Sequence, residues 1–260
     1  MRRACYFAHV SVTYPNAAPR AWPFFPLRPR DTPVRRFAVL APVGLAVVAG
    51  LGIGVFADAG VLAILVGITA FIVGVVGAAW HLRRRHPHAR LGLANAVTML
   101  RLAFVSTLII PLVGGTPAPV AIIAIATVSL SLDGVDGWLA RRQGLSSDFG
   151  GSFDMEVDSV FALVHAALAV VAGGAPWIVL LLGLPRYLFW IAGAIWPWLY
   201  DPLPPRYSGK VVAVVQMIAL IVLQLPLLPH ALAIALTVGV LAALGWSFGR
   251  DIVWLWRRKA

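Results

Sequence analysis

The chain has 260 residues, 60% of them hydrophobic and only 12% charged, with a mean hydropathy of +0.88 and a formal net charge of +11. A water-soluble surface needs about 25% charged residues, so a soluble enzyme and a disordered chain are both excluded, and the single Cys5 excludes an internal disulfide scaffold. Uncharged runs at 37–57, 59–80, 102–132, 159–185 and 211–249 each reach the roughly 20 residues that cross a bilayer, and the longer ones hold two crossings, which reads as an all-α polytopic membrane protein.

Residues 1–36 carry seven Arg and six Pro without an apolar run, and read as a basic Pro/Arg-rich cytoplasmic tail rather than a signal peptide. Turn-rich breaks then predict eight helices, at 37–57, 61–80, 96–113, 118–142, 151–172, 176–198, 209–226 and 230–254. The first pair, with the basic loop that follows it, forms an extra hairpin over 37–91 with a structural or docking role, and 92–260 is a six-helix core. With the N-terminus inside, the outer connections contain no Lys or Arg, whereas the inner ones carry Arg83, Arg84, Arg85, Arg90, Arg142, Arg206 and the closing Arg257-Arg258-Lys259. Both termini are therefore expected on the cytoplasmic side. Arg outnumbers Lys nineteen to two, a GC-rich bias, and a bacterial cell membrane is the expected location. The positive charge suits contact with membrane lipids; no basic-aromatic module accompanies it, so no nucleic-acid partner is expected.

Six of the ten acidic residues fall between Asp133 and Asp158. A carboxylate in or near hydrocarbon costs about 2.5–3.5 kcal/mol on insertion scales unless paired or metal-bound. Asp133, Asp136, Gly137 and Ala140 share one face of the fourth predicted helix, and Gly150, Asp154 and Asp158 share one face at the start of the fifth. The short connection between them predicts antiparallel neighbours whose four aspartates meet at the cytoplasmic end. Clustered carboxylates repel unless cations neutralise them, and an all-oxygen set suits Mg²⁺ or Mn²⁺ better than zinc. The small residues leave room beside the acids, and Arg141 is placed to meet an anion, so the constellation describes a phosphate-ester or pyrophosphate site. Two plainer readings stand beside it: Asp133 and Asp136 pairing with Arg141 and Arg142, and an acidic path in a divalent-cation transporter. Glu156 lies about 200° round the helix from both Asp154 and Asp158 and takes no metal role.

The pattern D-x2-D-G-x2-A-R-x8-G-x3-D-x3-D, filled by Asp133, Asp136, Gly137, Ala140, Arg141, Gly150, Asp154 and Asp158, resembles the signature of the CDP-alcohol phosphotransferases. Asn95, Thr98 and Arg101 resemble that family's P-N-x-L-T-x-x-R opening segment, with Ala94 and Val97 in place of its Pro and Leu. The resemblance covers about 92–256 and implies a six-helix core that moves a substituted phosphoryl group from a CDP-linked alcohol to a second alcohol, releasing CMP. It implies two divalent ions on Asp133, Asp136, Asp154 and Asp158, Asp158 as general base, and nucleotide contacts from Gly137, Ala140, Arg141 and Gly150.

Arg186 in the sixth predicted helix, with Arg206 and Lys210 at the start of the seventh, could bind an anionic acceptor; the plainer readings are pairing with a nearby acid and positive-inside anchoring. Gly209, Lys210 and Gln216 resemble part of the G-K-x-K-T-x-x-Q segment of phosphatidylglycerophosphate synthases, with Val212 and Ala213 departing from it. The favoured donor is CDP-diacylglycerol and the favoured acceptor a polyol phosphate such as glycerol 3-phosphate. Cardiolipin or phosphatidylinositol-phosphate synthesis, and a diglyceride accepting from a CDP-headgroup, stay open. His165 reads as a packed, hydrogen-bonded residue. The glycine-rich first, second and eighth helices are expected to pack closely; a homodimer would use them, the resembled family being often dimeric.

Overall fold

The computed structural model describes residues 31–85, 91–143, 147–201, 203–204 and 206–259. Among them every regular element is helical: α1 Asp31–Gly54, α2 Gly60–Arg85, α3 Leu93–Gly114, α4 Pro119–Gln143, α5 Asp148–Val171, α6 Leu180–Gly183, α7 Pro185–Ile195, α8 Tyr207–Val222 and α9 His230–Lys259, with short 3-10 turns between some of them. Five segments among the described residues are long and apolar enough to cross a membrane, and the bent pair Trp177–Gly183 and Pro185–Ile195 is either a sixth, broken span or a re-entrant loop. α5 has the length, but Asp154, Glu156 and Asp158 interrupt its apolar run; α8, at 16 residues, spans about 24 Å. Side chains such as Val39, Leu62, Val73, Val76 and Val120 point outward and are exposed. In water that surface would be a liability; in lipid it is the expected one, and the chain is an integral membrane protein.

Two predicted boundaries change. α1 begins at Asp31, so residues 31–36, assigned to the tail, are helical; Pro33 is tolerated because the first turn makes no use of its missing N–H. Residues 1–30 lie outside the described residues, as do 86–90 of the predicted basic loop. The predicted continuous helix 176–198 is broken at Leu184, where Pro185 starts a new helix bent by 61° from the preceding piece. Pro cannot donate to the turn before it, and the Gln216 side chain of α8 donates to the buried Leu182 carbonyl at 2.5 Å. Gly183 lets the break lie against α5, since a Cβ there would sit 2.8 Å from Leu163 Cα.

α3 is the most buried of the candidate spans. It packs on α1, α2, α4 and α5, and α4 and α5 pack chiefly on α3 rather than on each other. The predicted direct α4–α5 neighbours are therefore bridged by a third helix, because the side chain that reconciles their acids comes from α3. The α1–α2 hairpin belongs to the same core. Phe37, fully buried, meets Phe149 and Phe153 of α5 edge-on with ring centroids 6.2 and 5.7 Å away. This aromatic cluster fixes the first turns of the helix that carries Asp154 and Asp158. Phe37→Ala is expected to destabilise the detergent-solubilised protein by about 3 kcal/mol: the loss lies at the low end for Phe→Ala because moving a side chain from an apolar surround into the core brings little hydrophobic transfer, and the packing loss remains. A fluorescence melt on the chain's tryptophans checks it.

Candidate active site

The start of α5 is set by Ser147, whose Oγ accepts the Gly150 amide at 3.1 Å as a helix N-cap. From that start Asp154 and Asp158 fall one turn apart on one face, as Asp133 and Asp136 do on α4. All four converge on the Arg101 guanidinium of α3. Its Nη1 lies 2.8 Å from Asp133, 3.1 Å from Asp136 and 2.5 Å from Asp154, and its Nη2 contacts Asp158. Arg101 is 1% exposed, and its Nε is buried without a hydrogen-bond partner among the described residues. Thr98, one turn earlier on α3, donates to the same Asp136 oxygen at 3.1 Å.

The acids divide into two kinds. Asp136 is buried behind the guanidinium and held by Thr98 and Arg101. Asp133, Asp154 and Asp158 are about one-third exposed, and each offers an oxygen within 4.8 Å of the others. One guanidinium cannot balance four carboxylates; with all of them ionised the pocket keeps an excess of negative charge. Three carboxylate oxygens at this spacing, with no Cys or His among them, fit a hard divalent cation.

The pairing of Asp133 and Asp136 with Arg141 and Arg142 is not what the fold adopts. Arg101 takes both acids, Arg142 lies 4.9 Å over the Trp138 ring, and Arg141 is exposed with no ion pair among the described residues. Arg141 folds back over Gly137, where a Cβ would meet only its guanidinium, at 3.4 Å. Gly150 faces Asn95, whose Oδ1 would be 3.3 Å from an added Cβ, so the opening segment of α3 and the glycine of α5 touch directly. Ala140 is half-buried on the same stretch of α4.

Of the three basic residues predicted for an acceptor, Arg186 and Arg206 are held in separate contacts among the described residues. Arg186, in the first turn of α7, pairs with Glu156, which turns away from the aspartate trio. Arg206, just before α8, pairs with Asp251 of α9 at 2.8 Å and lies over Trp254. Lys210 is exposed. The sequence reading passed over Arg250, whose Nη1 donates to Ser208 at 2.9 Å and whose Nε and Nη2 are buried without hydrogen-bond partners among the described residues. Its signal was the Arg250-Asp251 dipeptide in an otherwise apolar helix. Arg101, part of the opening segment in the sequence, is a further site residue that helical spacing alone does not reveal. His165 is fully buried, with Nδ1 2.8 Å from the Phe161 carbonyl, and is a packed residue.

Residues 91–246 match the CDP-alcohol phosphatidyltransferase family. Two curated relatives, each called "Probable phosphatidylglycerophosphate synthase" and coming from Mycobacterium tuberculosis strains CDC 1551 / Oshkosh and ATCC 25618 / H37Rv, are 32% identical over 141 residues, which is 52% of this chain and 66% of theirs. The chain thus spans slightly less than two thirds of the length of these relatives. No solved structure matches it.

Proposed function

The chain belongs to the CDP-alcohol phosphatidyltransferase family, and from that membership we propose that it transfers a phosphatidyl group from CDP-diacylglycerol to the hydroxyl of a polyol phosphate, glycerol 3-phosphate being favoured, and releases CMP in phospholipid biosynthesis. The observation that carries this reading is the convergence of Asp133, Asp154 and Asp158, with oxygens within 4.8 Å of one another, inside the segment that matches the family. The name shared by the two relatives favours glycerol 3-phosphate over other acceptors.

In this reading Asp133, Asp136, Asp154 and Asp158 would hold two divalent ions, Mg²⁺ or Mn²⁺, which when bound offset charge on the pyrophosphate and on the departing CMP. The acceptor oxygen attacks the phosphatidyl phosphorus, a new P–O bond forms, and the bond from that phosphorus to the bridging pyrophosphate oxygen breaks. Asp158 takes the proton from the attacking hydroxyl. Gly137, Ala140 and Gly150 leave a low wall against which the nucleotide can lie, and exposed Arg141 reaches its phosphate. Exposed Lys210 receives the acceptor's phosphate, joined by Arg186 and Arg206 once they release Glu156 and Asp251. The pocket faces the cytoplasm of a bacterial cell, the diacylglycerol chains stay in lipid, and the α1–α2 hairpin braces the family core.

Purified protein given radiolabelled CDP-diacylglycerol, Mg²⁺ or Mn²⁺, and a panel of glycerol 3-phosphate, inositol phosphate and phosphatidylglycerol tests this. CMP release that depends on glycerol 3-phosphate is expected. Release with only another acceptor would reassign the substrate. Absence of release with every acceptor, together with cation flux into sealed vesicles, would replace the enzyme with a transporter.

A further inference from the structure

We propose that Arg101 is an exchangeable internal cation: its guanidinium and the divalent ions compete for the same carboxylate oxygens, so ion binding displaces it from the acid pocket. This rests on the metal-binding reading above and adds to it a role for a residue that the acids themselves do not reveal. Arg101 contacts Asp133, Asp136, Asp154 and Asp158 at once. Three of those are the residues whose oxygens gather within 4.8 Å. A Mg²⁺ bound to such oxygens would lie about 2.0–2.1 Å from each, which brings it against a guanidinium already ion-paired with them. Two cations at that separation in a buried pocket repel strongly.

The bonding of Arg101 is lopsided in a way that suits exchange. Nη1 serves three acids and Nη2 serves one, while the buried Nε serves none among the described residues. A guanidinium built in as a permanent part of a core normally has all its donors satisfied. The long side chain also has the reach to withdraw without moving α3. In the pocket it restrains four carboxylates that would otherwise push α4 and α5 apart. Withdrawn, it leaves those oxygens converged for the ions.

Full-length protein in detergent, with Mn²⁺ as the probe, decides the matter through two readouts that need no turnover: Mn²⁺ affinity from the electron-spin signal of free Mn²⁺, and the melting temperature with EDTA or with Mn²⁺. Arg101→Met is expected to melt lower than wild type in EDTA, to bind Mn²⁺ at least about tenfold more tightly because no internal cation competes, and to gain more melting temperature from Mn²⁺ than wild type does. Arg101→Lys should lie between the two. Mn²⁺ affinity in Arg101→Met equal to or weaker than wild type, or a melting deficit that Mn²⁺ does not reduce, would overturn exchange and make the guanidinium a fixed companion of the ions. If neither protein binds Mn²⁺, the metal-binding reading itself falls. Should Arg101→Met fold only in Mn²⁺, unfolding on EDTA addition that Mn²⁺ reverses supports exchange, and failure to fold even with Mn²⁺ opposes it.

Discussion

Asp133→Asn, Asp136→Asn and Asp154→Asn are each expected to lower CMP release by about 10³-fold or more, the scale on which loss of one charge-stabilising group acts in a closed site. The exchange of carboxylate for amide keeps the shape of the side chain, so helix packing should survive while the charge that holds a cation does not. The three positions should differ in their second effects. At Asp136 the amide oxygen can still accept from Thr98, which now bonds the carboxylate at 3.1 Å, and the loss is therefore one of charge beside Arg101 rather than of a buried hydrogen bond. Asp133 and Asp154 belong to the partly exposed trio, and their variants should show weakened Mn²⁺ binding as well as slow turnover. CMP release measured beside a melting curve separates a lost ligand from a lost fold. Full activity in these variants, with Mg²⁺ or Mn²⁺ still required, would remove the aspartates from metal binding.

These acids were legible in the sequence because helical geometry is local. Positions three and four apart fall on one face, so the spacing of Asp133 with Asp136, and of Asp154 with Asp158, is enough to place each pair on one side of its helix. Other features depend on partners far along the chain. Arg101 reaches carboxylates 32 to 57 residues away, and only the packing of α3 between α4 and α5 makes that contact. Pro185 was visible, but a proline inside an apolar run can either kink a membrane helix or pass with a slight bend. The outcome here involves Gln216, 34 residues distant, whose amide takes up the Leu182 carbonyl, and the missing side chain of Gly183. The start of α1 was placed late for a different reason. The run Arg35-Arg36 marks the edge of the apolar segment, and hydropathy locates that edge, whereas the backbone hydrogen bonding that defines a helix continues beyond it into polar residues.

Asp158→Asn is expected to separate binding from chemistry. Asp158 meets Arg101 through Nη2, whereas the other three acids share Nη1, and its side chain is 35% exposed, so one edge is open to an incoming hydroxyl. An amide cannot take up that hydroxyl's proton. If proton acceptance is its main task, kcat should fall by about 10²–10⁴-fold, the usual contribution of a positioned base, while KM for CDP-diacylglycerol and the affinity for Mn²⁺ stay close to wild type. If ion holding is its main task, Mn²⁺ affinity and donor binding should fall together with kcat, as at Asp154. Direct titration of Mn²⁺, combined with single-turnover CMP release at saturating donor, distinguishes the two, because slow chemistry on a fully loaded site leaves the first measurement unchanged. The separate contact of Asp158 with the guanidinium favours the former result: the other three acids share Nη1, and in the variant they (Asp133, Asp136 and Asp154) remain to hold cations.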